Sequence, residues 1–259
     1  MEREGSLQMA QENFRRYEKK YKITREQYQE LLSRIITRIQ PEPYGKHTIC
    51  NIYFDTKDYA MIRHSLEKPV YKEKLRMRSY GTPKNGDMVY LEIKKKYDGV
   101  VYKRRVSMRY EDAVKYLYKG VFPDNDSQVL REIDYAVRHY QARPAVYLAY
   151  ERIAFFGKEN PELRITFDMN IRARRYALEL DKESFGTAFL EKGMFLMEVK
   201  VPGTMPLWLS RIFSELKIFP VSYSKYGTFY QEYMVGKDLL EVVKGSGRRT
   251  AEGGKENCA

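Results

Sequence analysis

Several stretches of this chain alternate charged and apolar residues at a period of two, and the sign of those charges restricts the fold more than any other feature. In FRRYEKKYK, Arg16, Glu18 and Lys20 share one side; in YKEKLRMRSY the set is Lys72, Lys74, Arg76 and Arg78; in YLEIKKKY it is Glu92, Lys94 and Lys96. A period of two belongs to β-strands, whose successive side chains point to opposite faces. In an ordinary half-buried strand a charged face simply marks solvent, and for any one of these segments that reading suffices. The recurrence across segments argues otherwise. VVYKRRVSM adds Lys103 and Arg105, or Tyr102 and Arg104 if the register slips by one residue. YERIAF contributes Arg152, LRITFD contributes Arg164 and Asp168, and LMEVKV contributes Glu198 and Lys200.

The opposite faces carry Leu75, Met77, Leu91, Ile93, Ile165, Phe167, Met197 and Val199, which need cover. If these faces turn outward beneath amphipathic helices, the charged faces turn inward and line a closed or nearly closed barrel. The expected fold is therefore α+β, an antiparallel β-barrel tunnel with a basic interior and flanking helices. Thr24 and Gln27 form a candidate capping box, and Tyr28, Leu31, Leu32, Ile35, Ile36 and Ile39 recur at helical spacing until Pro41. Further helices are expected over 111–119, 127–140 and 206–216, and a short one over 225–234. Strands are expected over 14–22, 48–55, 70–80, 88–96, 100–109, 145–156, 163–171 and 194–201. No linker or fixed-period repeat interrupts this pattern, which argues for one continuous domain over 13–237, with a disordered tail over 1–12 and a flexible one over 238–259.

Crowding cations has a cost: two unit charges about 6 Å apart repel by roughly 3 kcal/mol at an effective dielectric near 20. Water, interior glutamates and a bound polyanion must offset it. The 47 Lys and Arg exceed the 35 Asp and Glu by 12 across the 259 residues, which favours an anionic partner in general. A phosphate chain suits this mixture, because its oxygens match the guanidinium fork while Lys supplies a mobile point charge. Glu18, Glu92 and Glu198 can orient neighbouring cations or hold Mg²⁺ or Mn²⁺ against phosphate oxygens; Glu198 is the favoured ligand, with Glu18 and Glu92 as additional candidates. Cys50 and Cys258 lack zinc-site spacing, and His47, His64 and His139 are scattered away from nucleophiles. No apolar run is long enough to span a bilayer and the N-terminus lacks a secretory core, so a cytoplasmic location is expected.

The ordered set RRYEKKY, NIYFDT, KLRMRSY, LEIKKK, YKRR, YERIAF, LRITFD, MEVK and SKY resembles the VTC domain, a member of the triphosphate tunnel metalloenzyme superfamily related to CYTH proteins. The resemblance implies a triphosphate substrate, a divalent cation and, in the polymerase branch, transfer of the ATP γ-phosphate onto a growing polyphosphate. It matches Lys74, Arg76, Arg78, Lys94, Arg152 and Arg164 to phosphate-binding residues, Glu198 to a metal-binding glutamate, and Lys225 to a further basic residue at the phosphate centre. Lys200 joins these as a catalytic candidate, and Arg16, Lys20, Lys72, Lys96, Lys103 and Arg105 are candidates for substrate binding. The hydrolytic CYTH branch carries ExExK on its first strand, where this chain has Arg16, Glu18 and Lys20, which fits the VTC branch instead. The expected partners are ATP or another triphosphate and polyphosphate, with no specific nucleic acid and no indication of oligomeric state. The alternatives are an inorganic tripolyphosphatase or nucleoside triphosphatase, in which water is the acceptor, and a non-catalytic module binding polyphosphate, inositol phosphate or RNA. Against RNA, Tyr71, Tyr90 and Tyr97 fall within strands and read as packing residues.

Overall fold

In chain order the elements are β1 Arg16–Ile23, α1 Arg25–Ile35, β2 Ile39–Pro41, β3 His47–Asp55, α2 Ala60–Leu66, β4 Tyr71–Tyr80, β5 Met88–Tyr97, β6 Val100–Arg109, α3 Tyr110–Lys119, α4 Gln128–His139, β7 Arg143–Gly157, β8 Arg164–Arg174, β9 Thr187–Ala188, β10 Phe195–Pro202, α5 Leu207–Glu215, β11 Pro220–Val221 and α6 Lys225–Phe229, followed by a π-helical turn Tyr230–Val235. They belong to a computed structural model, which describes residues 16–124 and 127–235. The expected tails, and Phe14 at the start of the expected first strand, lie outside the described residues.

The described residues form two compact units, one of 16–45, 153–167 and 193–221, the other of 46–124, 127–152, 168–192 and 222–235. In the first, the strand order is β11-β1-β10-β8-β7, with β2 on β7. The Thr24 capping box opens α1 as expected: Gln27 N donates to Thr24 Oγ1 at 3.2 Å and Thr24 N to Gln27 Oε1 at 3.0 Å. Leu31 and Ile35 are fully buried, and the Tyr28 ring sits against Phe167 and Phe195. The helix stops at Ile35, short of the expected Ile39. Ile39 instead pairs with Gly157 in β2, where strand pairing buries it as well as a further helical turn would.

In the second unit the order is β8-β7-β3-β4-β5-β6, with β9 on β8. Its core is built from the even residues of β3 (Cys50, Ile52, Phe54) and the odd residues of β4 and β5 (Leu75, Met77, Val89, Leu91, Ile93), covered by Ala113 and Tyr116 of α3 and by Leu130, Ile133 and Ala136 of α4. Each large side chain so buried contributes roughly 1.5–3 kcal/mol, enough to fix which face turns away from the helices. The β5–β6 turn is Asp98-Gly99, both at positive φ (41° and 80°), the two-residue geometry whose twist matches the flanking strands. That turn pairs Tyr97 with Val100 and hence Glu92 with Arg105 and Lys94 with Lys103, which decides between the two registers open for β6.

The hydrogen-bonded path ends at β11 and β6, so the antiparallel sheet with its flanking helices is present as expected but is open, and "barrel" describes it loosely. The short helix α2 is not signalled in the sequence, because its N-cap Tyr59 is left-handed and offers no side-chain cap. Asp55 does that job from the end of β3, accepting from Met61 N at 2.9 Å and Ile62 N at 3.1 Å. Tyr71 and Tyr97 are also not core residues. They are 40% and 58% exposed, at the end of the β4–β6 ladder.

Candidate functional site

With the apolar face committed to α3 and α4, the remaining face of β3–β7 in the second unit holds cations in cross-strand rows. Lys74, Lys94 and Lys103 stand directly opposite one another, as do Arg76, Glu92 and Arg105 in the next row; Arg78 faces Tyr90 in the third, and Lys72 faces Lys96 at the other end. Like charges in directly opposite positions are destabilising in themselves.

Glu92, 1% exposed, is the counter-charge. Its Oε2 accepts from Arg76 Nε at 2.7 Å and lies 2.6 Å from Nη2, while Oε1 accepts from Lys103 Nζ at 2.7 Å. Arg78 and Arg105 approach Oε1 at 3.9 and 4.0 Å. Burial alone would push this carboxyl up, but Arg76, Arg78 and Lys103 outweigh it and hold it down at about 2. Neutral groups orient the guanidinium groups: Arg76 Nη1 donates to Tyr53 Oη at 3.1 Å, and Arg78 donates to Asn51 Oδ1 at 3.0 Å and Tyr150 Oη at 3.4 Å. Burial would raise the Tyr53 phenol, yet Arg76, Arg78 and Lys74 bring it down to about 8. Lys74 Nζ donates to Ser224 Oγ, and Lys72 Nζ to Ser65 O, both at 3.0 Å.

A second cluster in the same unit joins β7, β8 and α6. Arg152 grips Asp168 with both arms of its fork, Nε to Oδ1 at 2.6 Å and Nη2 to Oδ2 at 2.8 Å, and Lys225 Nζ lies 2.5 Å from Oδ2. Asp168 is fully buried; burial raises its carboxyl, but Lys225 and Arg152 hold it below the ordinary carboxylate range. Both cations pack on the Tyr150 ring, at 5.2 Å for Arg152 and 4.5 Å for Lys225. Glu92 and Asp168 are thus each shared by more than one cation.

In the first unit, β1 and β10 place Glu18 opposite Lys200 and Lys20 opposite Glu198. Lys200 Nζ is 2.7 Å from Glu198 and Lys20 Nζ 3.3 Å from Glu18, so the four side chains alternate in sign. Arg164 Nη2 lies 2.6 Å from Glu42 Oε1 without hydrogen-bond alignment. Arg16 falls in β1 opposite Pro202, and its side chain is outside the description.

Sequence reasoning missed Tyr53, Asn51 and Tyr150, because neutral partners of an arginine carry no charge pattern of their own. It also missed Glu42, which follows Pro41 outside any alternating segment. For a metal the donors are these. Among the described residues no group of three or more His, Cys, Asp or Glu is arranged as a cage. Glu18 and Glu198, diagonal neighbours on one face, suit Mg²⁺ or Mn²⁺, hard cations that take one or two carboxylates and complete their shell with water and phosphate oxygens. At Glu92, Arg76 lies against Oε2 and Lys103 against Oε1, the ion-pair arrangement that the sequence also allowed for this carboxylate.

The family model described as the VTC domain matches residues 15–233. Among solved structures, a Bacillus halodurans protein named a "putative adenylate cyclase" is similar in fold, with a TM-score of 0.51 and 15% identity over 84% of this chain and 96% of that one. A Hippeastrum protein named an adenylyl cyclase, and reported to have a dominant triphosphatase activity, aligns with a TM-score of 0.47 and 15% identity over 83% of this chain and 96% of that one. The comparison with curated proteins gave no match. The family match spans all but one of the elements described above, the π-helical turn, of which it takes in the larger part, and the chain belongs to the VTC domain family.

Proposed function

We propose that the cationic face of the second unit binds a triphosphate or polyphosphate and that the protein catalyses divalent-metal-dependent phosphoryl transfer, with polyphosphate synthesis from ATP as its reaction. The observation that carries this is the Glu92 cluster. Arg76, Arg78, Lys103 and Arg105 share one carboxylate, so the face keeps a positive surplus that a polyanion offsets. Membership of the VTC family supports the same substrate class.

Phosphoryl transfer asks a protein for alignment and charge neutralisation more than for a nucleophile. Arg76 and Arg78 present planar forks whose orientation is set by Tyr53, Asn51 and Tyr150, and they fix the donor's phosphate oxygens. Lys74, Lys94 and Lys103 add point charge one row further on. Arg152 and Lys225, braced by Asp168, hold charge against the transferring group. An anionic phosphate oxygen of the growing chain bonds to the γ-phosphorus as the bridging bond to the β-phosphate breaks, and ADP departs with the electron pair. In the first unit, Glu198 with Glu18 would hold a divalent cation, the Lewis acid that phosphoryl chemistry uses. Among the described residues no helix is long and apolar enough to cross a membrane. We place the reaction in the cytoplasm, where ATP and Mg²⁺ are supplied together.

The test is incubation of the purified protein with ATP and Mn²⁺, followed by gel analysis of chain length and assay of ADP. A ladder of polyphosphate with matching ADP is expected. Orthophosphate released from tripolyphosphate with no ladder would make the protein a hydrolase, and neither product would end the catalytic reading.

A further inference from the structure

The cationic face is not the same at its two ends. One end closes with Lys72 and Lys96 facing each other. At the other, aromatic rings gather: Tyr90 on β5 faces Arg78, and Tyr80 on β4 and His47 on β3 lie beyond it, with Arg109 opposite Met88 and Arg152 opposite His47 at the same end. Tyr80 meets His47 at 5.9 Å and Tyr90 edge-on at 5.7 Å, and the Arg105 guanidinium lies 4.6 Å over the Tyr90 ring. Tyr80 nevertheless remains 53% exposed, held in place at one edge with much of its surface uncovered. The buried Ile49 is its direct cross-strand partner, and His47 stands opposite Arg152.

We infer that Tyr80, supported by His47 and Tyr90, is a stacking platform for the base of a purine nucleoside triphosphate, so that the nucleotide enters with its base at Tyr80 and its phosphates running toward the lysine rows. The inference rests on the phosphate reading above and adds to it the identity and direction of the donor. Side chains on one strand face recur about every 7 Å. From Tyr80 the first step reaches Arg78, a span suited to a ribose, and the second reaches Arg76, where the terminal phosphates then lie within the Glu92 cluster. Arg105, stacked on Tyr90 and 4.0 Å from Glu92, connects the aromatic end to the charged one. An inorganic phosphate chain has no part that would use an exposed ring, whereas a base buries its face there. Stacking reads the face of the base and not its edge, so ATP and GTP should bind alike.

The experiment measures dissociation constants of a nonhydrolysable ATP analogue and of tripolyphosphate for the wild type, Tyr80→Ala and Tyr80→Trp, with circular dichroism confirming the fold. Tyr80→Ala is expected to weaken the analogue about tenfold and to leave tripolyphosphate within about twofold, while Tyr80→Trp retains or improves the analogue's affinity. An unchanged analogue affinity in Tyr80→Ala, or equal weakening of both ligands, would overturn the base platform while the phosphate site stands. If the wild type binds neither ligand, the phosphate reading itself fails and the platform falls with it.

Discussion

Arg174 is buried and Arg76 partly so, and their surroundings differ in what they leave unspent. Arg174, 2% exposed, lies between the rings of Tyr147 at 3.5 Å and Phe185 at 4.1 Å and donates to backbone carbonyls of Tyr176, Ala177, Glu183 and Phe185 at 2.7–3.1 Å, with Glu179 at 3.4 Å. Its donors are consumed in shaping the 175–186 segment. Arg76 faces one carboxylate shared with Lys103 and approached by Arg78 and Arg105. The contrast teaches that burial of an arginine does not mark a site. What marks it is an excess of donors and charge over the acceptors the protein supplies.

The sharpest way to break this comparison is Arg174→Met, which orphans several carbonyls at about 1–3 kcal/mol each and should lower stability by about 4 kcal/mol. That is a fall in Tm of about 10 °C by calorimetry, while any tripolyphosphate-induced rise in Tm persists. A variant that melts normally but no longer responds to polyanion would reverse the roles assigned to the two arginines.

Glu92→Gln comes next. The Glu92 carboxyl lies at about 2 against an ordinary 4.5, so its contribution is fully present above about 4.5 and lost as pH falls through about 2. The difference corresponds to about 3 kcal/mol, measurable by urea denaturation at pH 7, and the variant should lack that part of the acid-induced loss. Because four cations lose their internal partner, tripolyphosphate should stabilise Glu92→Gln more than the wild type. Arg76→Ala should act on binding, weakening tripolyphosphate about thirtyfold, or about 2 kcal/mol by titration calorimetry.

The smallest effect concerns Tyr53. Its phenol, drawn down to about 8, becomes an anion that competes with phosphate for Arg76, so bound polyanion favours the protonated form and affinity falls as pH rises through about 8. The groups facing it are Arg76, Arg78 and Lys74, with the Tyr226 ring 5.0 Å away and tied to Asp55. In Tyr53→Phe the fall between pH 7 and 9 should be smaller by about threefold to tenfold, with the ligand's own titration cancelling in the comparison.

Much of this was legible in the sequence, for reasons that are local. The Thr24–Gln27 box and the alternation in YKEKLRMRSY and LEIKKK each encode their own element, and the structure follows them. What was not legible depended on distant partners. Residues Ala60–Leu66 are helical because Thr56 and Asp55, outside the helix, accept from the amides of Ala60, Met61 and Ile62. Arg174 ends an unremarkable strand, and only the fold brings five carbonyls to it. The β6 register hung on the Asp98-Gly99 turn, which selects Lys103 over Tyr102 for the charged face. The aromatic end at Tyr80 was hidden for the same reason, since His47 and Tyr90 meet it only through strand pairing.

The surplus of positive charge on the Glu92 face is tested most directly by the Tm of the intact chain with and without tripolyphosphate at modest ionic strength. A polyanion that binds only the folded protein should raise Tm progressively with concentration, and added salt should diminish the rise. No shift at any concentration, or a shift that sulfate at equal ionic strength reproduces, would contradict a phosphate site there.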